Sequence, residues 1–203
     1  MKKWFAAAVK CTSSTRNIAM VVAMIAAVFV PTVGVAEDKS LQDQLREAIH
    51  KHVNGTTQVQ EESQRLEDVK TLMAKGAKVD GYDSHGDTPL LVAVDDYRLD
   101  VIKYLLEQGA DVNRPTSPDG IMPPGVTPLM RACAHCPNMK AQDRELFDLL
   151  LKNGADVNAK DRKGNTAWMY SWDATKYSGC GENGKDLRKY LEDHGAKPPD
   201  WAQ

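Results

Sequence analysis

The sequence predicts an all-α repeat fold: about four helix–turn–helix units stacked side by side and joined by projecting, β-hairpin-like fingers. Three observations predict it. Thr88-Pro89-Leu90, Thr127-Pro128-Leu129 and Thr166-Ala167-Trp168 recur at intervals of 39 and 39 residues. Gly76-Ala77, Gly109-Ala110, Gly154-Ala155 and Gly195-Ala196 interleave with them. Each Gly-Ala also closes an apolar run of helical periodicity: Val69, Leu72, Met73; Val101, Ile102, Leu105, Leu106; Leu146, Phe147, Leu149, Leu150; Leu187, Tyr190, Leu191. Self-similarity at such a period marks a stack of supersecondary units, none of which can bury its apolar face alone.

Each element has a local reason to form. A Thr hydroxyl caps a helix, and the following Pro sits at the first helical position, where its missing N–H costs nothing. Gly after the second helix supplies the left-handed residue that ends it. Asp83-Ser84-His85-Gly86 and Asp161-Arg162-Lys163-Gly164 are tight-turn residues. Upstream, Ser40 precedes Leu41, Leu45, Ala48, Ile49 and Val53, which predicts a capped amphipathic helix over 40–53. It pairs with a second helix over 61–75 as a divergent first unit. The predicted organisation is a capping helix and linker over 37–60, repeats over 61–197 and a tail over 198–203, with Pro198-Pro199 ending the last helix.

Units of about 33 residues opened by Thr-Pro-Leu resemble the ankyrin repeat, and the resemblance spans roughly residues 61–197. Spacing shows the departures. Thr-to-Gly is 21 residues in the second unit but 27 and 29 in the third and fourth, which places extra residues around 136–142 and 173–184. Gly-to-Thr is 12, 18 and 12, so the finger over 113–126 carries about six extra residues. The position three after each Thr, His in much of the family, holds Leu91, Met130 and Met169, which removes the family's polar tie there. Ala93, Ala132 and Ser171 keep the small side chains that close helix packing needs.

The first 36 residues carry four basic and no acidic side chains, and Ile18–Val30 is an uncharged run of 13 apolar residues. With Gly34-Val35-Ala36 behind it, this reads as a signal peptide cleaved after Ala36. The competing reading is a retained anchor, but Pro31 interrupts the run well short of the ~20 residues a span needs. Cys11 sits before the apolar run and after Lys10, which speaks against lipid attachment. The expected body of 167 residues has a formal charge of −6. That excludes a phosphate-backbone binder, which needs a Lys/Arg excess. No nucleic acid is expected as partner, and no membrane once the leader is removed. The 42% apolar content is too high for a disordered chain.

Cys133-Ala134-His135-Cys136 is the short motif that most invites chemistry. The pair falls towards a helix C-terminus, where the dipole opposes a thiolate, and Pro137 stands where haem attachment needs His. Export favours a structural disulfide instead. Equivalent loops of stacked units lie side by side, so Cys136–Cys180 is the preferred bridge, with Cys133–Cys180 and Cys133–Cys136 as alternatives. Cys133, Cys136, Cys180 and a histidine are also the zinc-ligand set, without a spacing that enforces it. His50 and His52 point to different helix faces, and no phosphate loop, nucleophile elbow or zinc-protease signature occurs. No cofactor, resident metal or catalytic residue is expected. Trp168 and Trp172, four apart, share a helix face in the last unit.

The ankyrin resemblance implies a non-enzymatic module that binds protein on a face built from fingers and first helices. Ser84, His85, Ile121, Met122, Arg162 and Lys163 are the candidate contacts. Ile121 and Met122 stand out because apolar side chains on a Pro-bracketed loop tip are hard to bury. The chain is expected to be a monomer, periplasmic or secreted, that supports or restrains a periplasmic enzyme or an incoming toxin. A thiol-redox or metal-handling protein built on Cys133, Cys136 and Cys180 is the second class, and a host-directed effector the third. N-terminal sequencing of the exported chain is expected to begin at Glu37; a start at Met1 rules the cleavage out.

Overall fold

A computed structural model of the chain describes residues 39–51, 58–135, 141–177 and 183–202. The predicted leader, Cys136 and Cys180 lie outside the described residues. All regular structure among them is helical. The helices are α1 (Leu41–His50), α2 (Gln58–Ala74), α3 (Pro89–Asp95), α4 (Leu99–Glu107), α5 (Pro128–Ala134), α6 (Ala141–Lys152), α7 (Ala167–Tyr177) and α8 (Asn183–Asp193), followed by a 3-10 turn, Asp200–Ala202. They form four pairs in contact, α1–α2, α3–α4, α5–α6 and α7–α8, within one compact unit, Lys39–Gln203.

The caps follow from the sequence. Ser40 caps α1, its hydroxyl accepting from the Asp43 N–H. Thr88 and Thr127 cap α3 and α5 by accepting from Leu91 and Met130. Met130 repays the bond: the Thr127 N–H donates to its Sδ at 3.5 Å, so a thioether occupies the box usually closed by a Glu or Gln side chain. Every Gly-Ala glycine has a left-handed φ, +104° at Gly76, +85° at Gly109, +88° at Gly154 and +91° at Gly195. Gly195 thus closes the last helix just after Asp193, as its Gly-Ala motif predicts, and Pro198-Pro199 follow beyond it. The extra length of the fourth unit is taken up in part as helix: α7 has 11 residues where α3 and α5 have 7.

Helices α1, α3, α5 and α7 pack in succession as an inner row, each backed by the second helix of its pair. Ala93, Ala132 and Ser171 are buried along that row, which lets the backbones approach. Leu90, Leu105, Leu129, Leu146, Phe147, Leu150 and Leu187 fill the space between the rows with almost no exposure. Each such side chain contributes about 1.5–3 kcal/mol relative to an exposed one. Outer helices are joined more lightly, by Lys103–Glu145 at 2.7 Å between α4 and α6 and by the Tyr190 hydroxyl donating to Asp148 between α8 and α6.

Polar ties run from unit to unit in two lines. In the outer line the Asn of Gly-Ala-Asp-Val-Asn clamps the next copy of the motif. Asn113 donates to the Gly154 carbonyl (2.9 Å) and accepts from the Asp156 N–H (2.8 Å), and Asn158 does the same with Gly195 (2.9 Å) and Lys197 (2.9 Å). In the inner line, Arg46 of α1 donates to Asp83 (2.6 Å) and Asp87 (3.0 Å), and Arg131 of α5 donates to Asp87 (3.0 Å) and Asp95 (2.9 Å). His135 completes the line on Asp95 at 2.8 Å. The Asp87 side chain is wholly buried, and uncompensated charge of that kind is strongly destabilising. Arg131→Ala is therefore expected to lower stability by about 3 kcal/mol in urea denaturation, while the exposed Lys103→Ala changes it by less than about 1 kcal/mol.

Candidate functional site

The fingers connect each Gly-Ala to the next Thr. In the first, the Asp83 N–H donates to Asp87 O (3.0 Å), and the Asp83 carboxylate accepts from the His85 (2.8 Å) and Asp87 (3.0 Å) amides. The last finger repeats the arrangement. Asp161 N donates to Asn165 O (2.9 Å), and its carboxylate accepts from the Lys163 and Asn165 amides, both at 2.8 Å. Burial opposes ionisation of Asp161, but these bonds, with one from the Tyr170 hydroxyl at 2.9 Å, hold its carboxyl below the ordinary value. In the long finger Thr116 takes the equivalent place. Its N–H donates to Val126 O (3.0 Å), and its hydroxyl donates to Pro123 O (2.6 Å) and accepts from the Val126 N–H (3.0 Å). The inserted residues thus lie inside the turn itself, between Thr116 and Val126.

The insertion folds back onto the first finger. Ser117 N donates to Gly86 O (2.8 Å) and Ile121 N to His85 O (2.9 Å). The approach is close enough to require glycine on both sides. A Cβ at Gly120 would lie 2.5 Å from the His85 carbonyl oxygen, and one at Gly86 would lie 2.6 Å from the Gly120 Cα. Tyr82 braces the base, its hydroxyl donating to Pro115 O (3.0 Å) and its ring lying 4.9 Å under the Arg114 guanidinium. On the other side Gly125 abuts Arg162, whose amide nitrogen would be 3.0 Å from an added Cβ. The first finger is tied to α1 as well: the Ser84 N–H donates to Asp43 at 2.8 Å, which, with Ser40, holds that carboxyl below its ordinary value.

The sequence-derived contacts therefore fall on three abutting fingers. Ser84, Ile121, Arg162 and Lys163 are exposed, Ile121 at 78%. His85 and Met122 are half-buried. Backbone bonds bring Ser84, His85 and Ile121 together, while Arg162 and Lys163 stand beyond Gly125. Cys133 is fully buried, unbridged, and its thiol is pushed well above the ordinary value by burial. That is the opposite of what an activated thiolate needs. No group of three or more His, Cys, Asp or Glu side chains among the described residues is placed to hold a metal. Trp168 is buried, and Trp172, stacked on it at 5.9 Å, is 39% exposed.

Two features were not foreseen from sequence. One is the Arg46–Asp87–Arg131 line, whose only sequence trace is an Asp before Thr88 and an Arg inside α5. The other is an aromatic end to the stack. Trp201 of the 3-10 turn packs edge-on against Trp168 (6.1 Å) and Trp172 (5.5 Å), and the Arg188 guanidinium lies 4.9 Å from the Trp172 ring.

Helix pairs joined by fingers and stacked through small side chains define a repeat protein built to present loops. The family model described as "Ankyrin repeats (3 copies)" matches residues 35–116 and 61–161, more than half of the chain. The chain belongs to the ankyrin-repeat family, and with it to the protein–protein interaction modules. The α7–α8 pair lies beyond the matched segments yet repeats the same architecture. An ankyrin repeat protein of Rickettsia felis is 39% identical over 92 residues, 44% of this chain and 38% of that one. The human "Ankyrin repeat and SOCS box protein 6" is 34% identical over 102 residues, 49% of this chain and 23% of that one. The chain thus spans well under half the length of these relatives.

Gly120→Ala is expected to lever the insertion off the first finger. The Ile121 amide then loses its acceptor, and its hydrogen exchange rises by roughly tenfold or more, with the α3 amides unchanged. Unchanged exchange at Ile121 sinks the account of finger packing.

Proposed function

We propose that this chain is an exported, non-enzymatic module that captures a protein partner on its finger edge and supports or restrains it. The observation that carries the reading is Ile121. A large apolar side chain stands 78% exposed on a loop whose backbone is pinned by His85 and by the Gly86–Gly120 contact. An exposed apolar group held rigid loses little entropy on binding, and its burial is favourable. Ser84, next to the His85 that pins it, and Arg162, beyond Gly125, put polar and basic groups on the same three fingers, as an anchor with a polar rim requires. The apolar leader with its basic start supports export to the periplasm or beyond, and a periplasmic enzyme or an incoming toxin is the class of partner proposed. The seclusion of the Cys133 thiol speaks against Cys133 itself as a reactive thiolate in the thiol-redox or metal-handling reading, whose other two cysteines, Cys136 and Cys180, lie outside the described residues.

Ile121→Asp with Met122→Asp places two charges on the anchor without touching the core. Partner recovered on the immobilised chain from a periplasmic extract, followed by mass spectrometry, is expected to drop by at least about tenfold in the variant. Undiminished capture removes the finger assignment.

A further inference from the structure

The last finger and the end of the chain enclose a cavity of about 540 Å³, walled by Lys160, Thr166, Met169, Lys197 and Trp201 among others. The Asn158 amide on its wall is engaged with Gly195 and Lys197, but the two lysine ammonium groups are not. Neither the Lys160 nor the Lys197 ammonium has an ion-pair partner among the described residues, and Asp200 is the one carboxylate on the wall. In the cavity beside α1 and α2 most cations are paired, Arg46 with Asp83 and Asp87, Lys51 with Asp68 and His50 with Asp96, while Lys75 on its wall has no ion pair among the described residues. Arg162 and Lys163 add two exposed cations at the tip of the same finger. Thr166 supplies an unusual donor. Thr88 and Thr127 use their hydroxyls to cap a helix, but the Thr166 hydroxyl is buried with no hydrogen-bond partner. Met169 and Trp201, the latter 59% exposed, add apolar surface to the wall.

We propose that this cavity is a second docking site, separate from the Ile121 edge, and that it takes an acidic peptide segment of a protein partner. A carboxylate of the segment sits between the Lys160 and Lys197 ammonium groups. It accepts from the Thr166 hydroxyl once that group rotates towards the cavity, and a neighbouring apolar side chain lies on Trp201 and Met169. Charge complementarity selects the occupant. The basic residues 1–36 of this chain are repelled by the same cations that attract a carboxylate. A charge-assisted bond is about twice as strong as a neutral one, so the acidic segment is preferred over its neutral counterpart. The site rests on the reading of the chain as a protein-binding module and adds the chemistry of what it binds.

The test uses the full chain and a blocked, fluorescently labelled peptide with one leucine flanked on each side by paired glutamates, followed by anisotropy. The peptide is expected to bind saturably, about tenfold or more tighter than the same peptide with glutamine for glutamate. Lys160→Glu with Lys197→Glu is expected to cost at least about tenfold, and Trp201→Ala severalfold, with the folded signal by circular dichroism retained; Lys70→Gln is the control. Equal binding of the glutamine peptide, or no saturation, overturns the site. So does tighter binding of an oligouridylate than of the peptide, or a chain dimer that the peptide dissolves, which makes a second copy the occupant. Binding that survives the double lysine variant but is lost on Ile121→Asp with Met122→Asp moves the site to the finger edge. Peptide binding retained while partner capture is indifferent to Ile121 and Met122 leaves this site standing and removes only the finger assignment.

Discussion

A single buried carboxylate ties three units together. Asp87 has no exposed side-chain surface, and its oxygens are divided between Arg46 from the unit before and Arg131 from the unit after. Repeat stacks hold only nearest neighbours together, so an interaction that touches three consecutive units couples what would otherwise be pairwise. Burying one carboxylate costs several kcal/mol, recovered only where its hydrogen bonds are complete. Here each oxygen of Asp87 accepts from one guanidinium, and the same two guanidiniums also reach Asp83 and Asp95. Asp83 and Asp87 bracket the first finger and Asp95 ends α3. The finger that receives the long insertion is therefore fixed by the network that fixes the stack. The rigid presentation of Ile121 depends on it in turn, through His85.

That dependence explains which parts of the fold were legible in the sequence. Helix pairs were readable because caps, glycines and apolar periodicity are local signals, as at Ser40, Thr88, Thr127 and Gly195. The inner line was not, because its partners are 41 and 44 residues apart and reside in different units. Loss of the usual His at Leu91, Met130 and Met169 signalled a missing tie without naming its replacement. The insertion could be counted but not placed. Thr116 carries the role of Asp83 and Asp161 with a hydroxyl in place of a carboxylate, and no periodicity reports that exchange. Among the site residues, the exposure of Ile121 was foreseeable from a Pro-bracketed tip. The half-burial of Met122 was not, since it depends on how the loop folds back.

Net charge does not say where the charges sit. The −6 of the body suggests a weakly acidic surface, more compatible with a basic protein partner than with nucleic acid. In the folded chain, however, Asp83, Asp87 and Asp95 are spent on the inner line and Asp161 on its own turn. Asp83, Asp87 and Asp95 are paired with Arg46 and Arg131, which are withdrawn from the surface with them, whereas Lys160, Arg162, Lys163 and Lys197 are exposed about the last finger. Screening over about 8–10 Å at ordinary ionic strength keeps such a patch distinct from acidic surface farther away.

The α7–α8 pair combines its finger with an aromatic surface. Beyond α8 the chain passes through Pro198-Pro199 and lays Trp201 against Trp168 and Trp172, with Arg188 over the rings. Trp201 and Trp172 cover Trp168 and remain partly exposed themselves. An indole offers a broad apolar surface with few torsions to freeze, so the packing that stabilises the last unit also leaves a contact surface of low entropic cost. Interior units have both faces occupied by neighbours, which leaves only their fingers for display. The last unit is the one place in the described chain where a finger, an aromatic surface and unpaired lysines can meet.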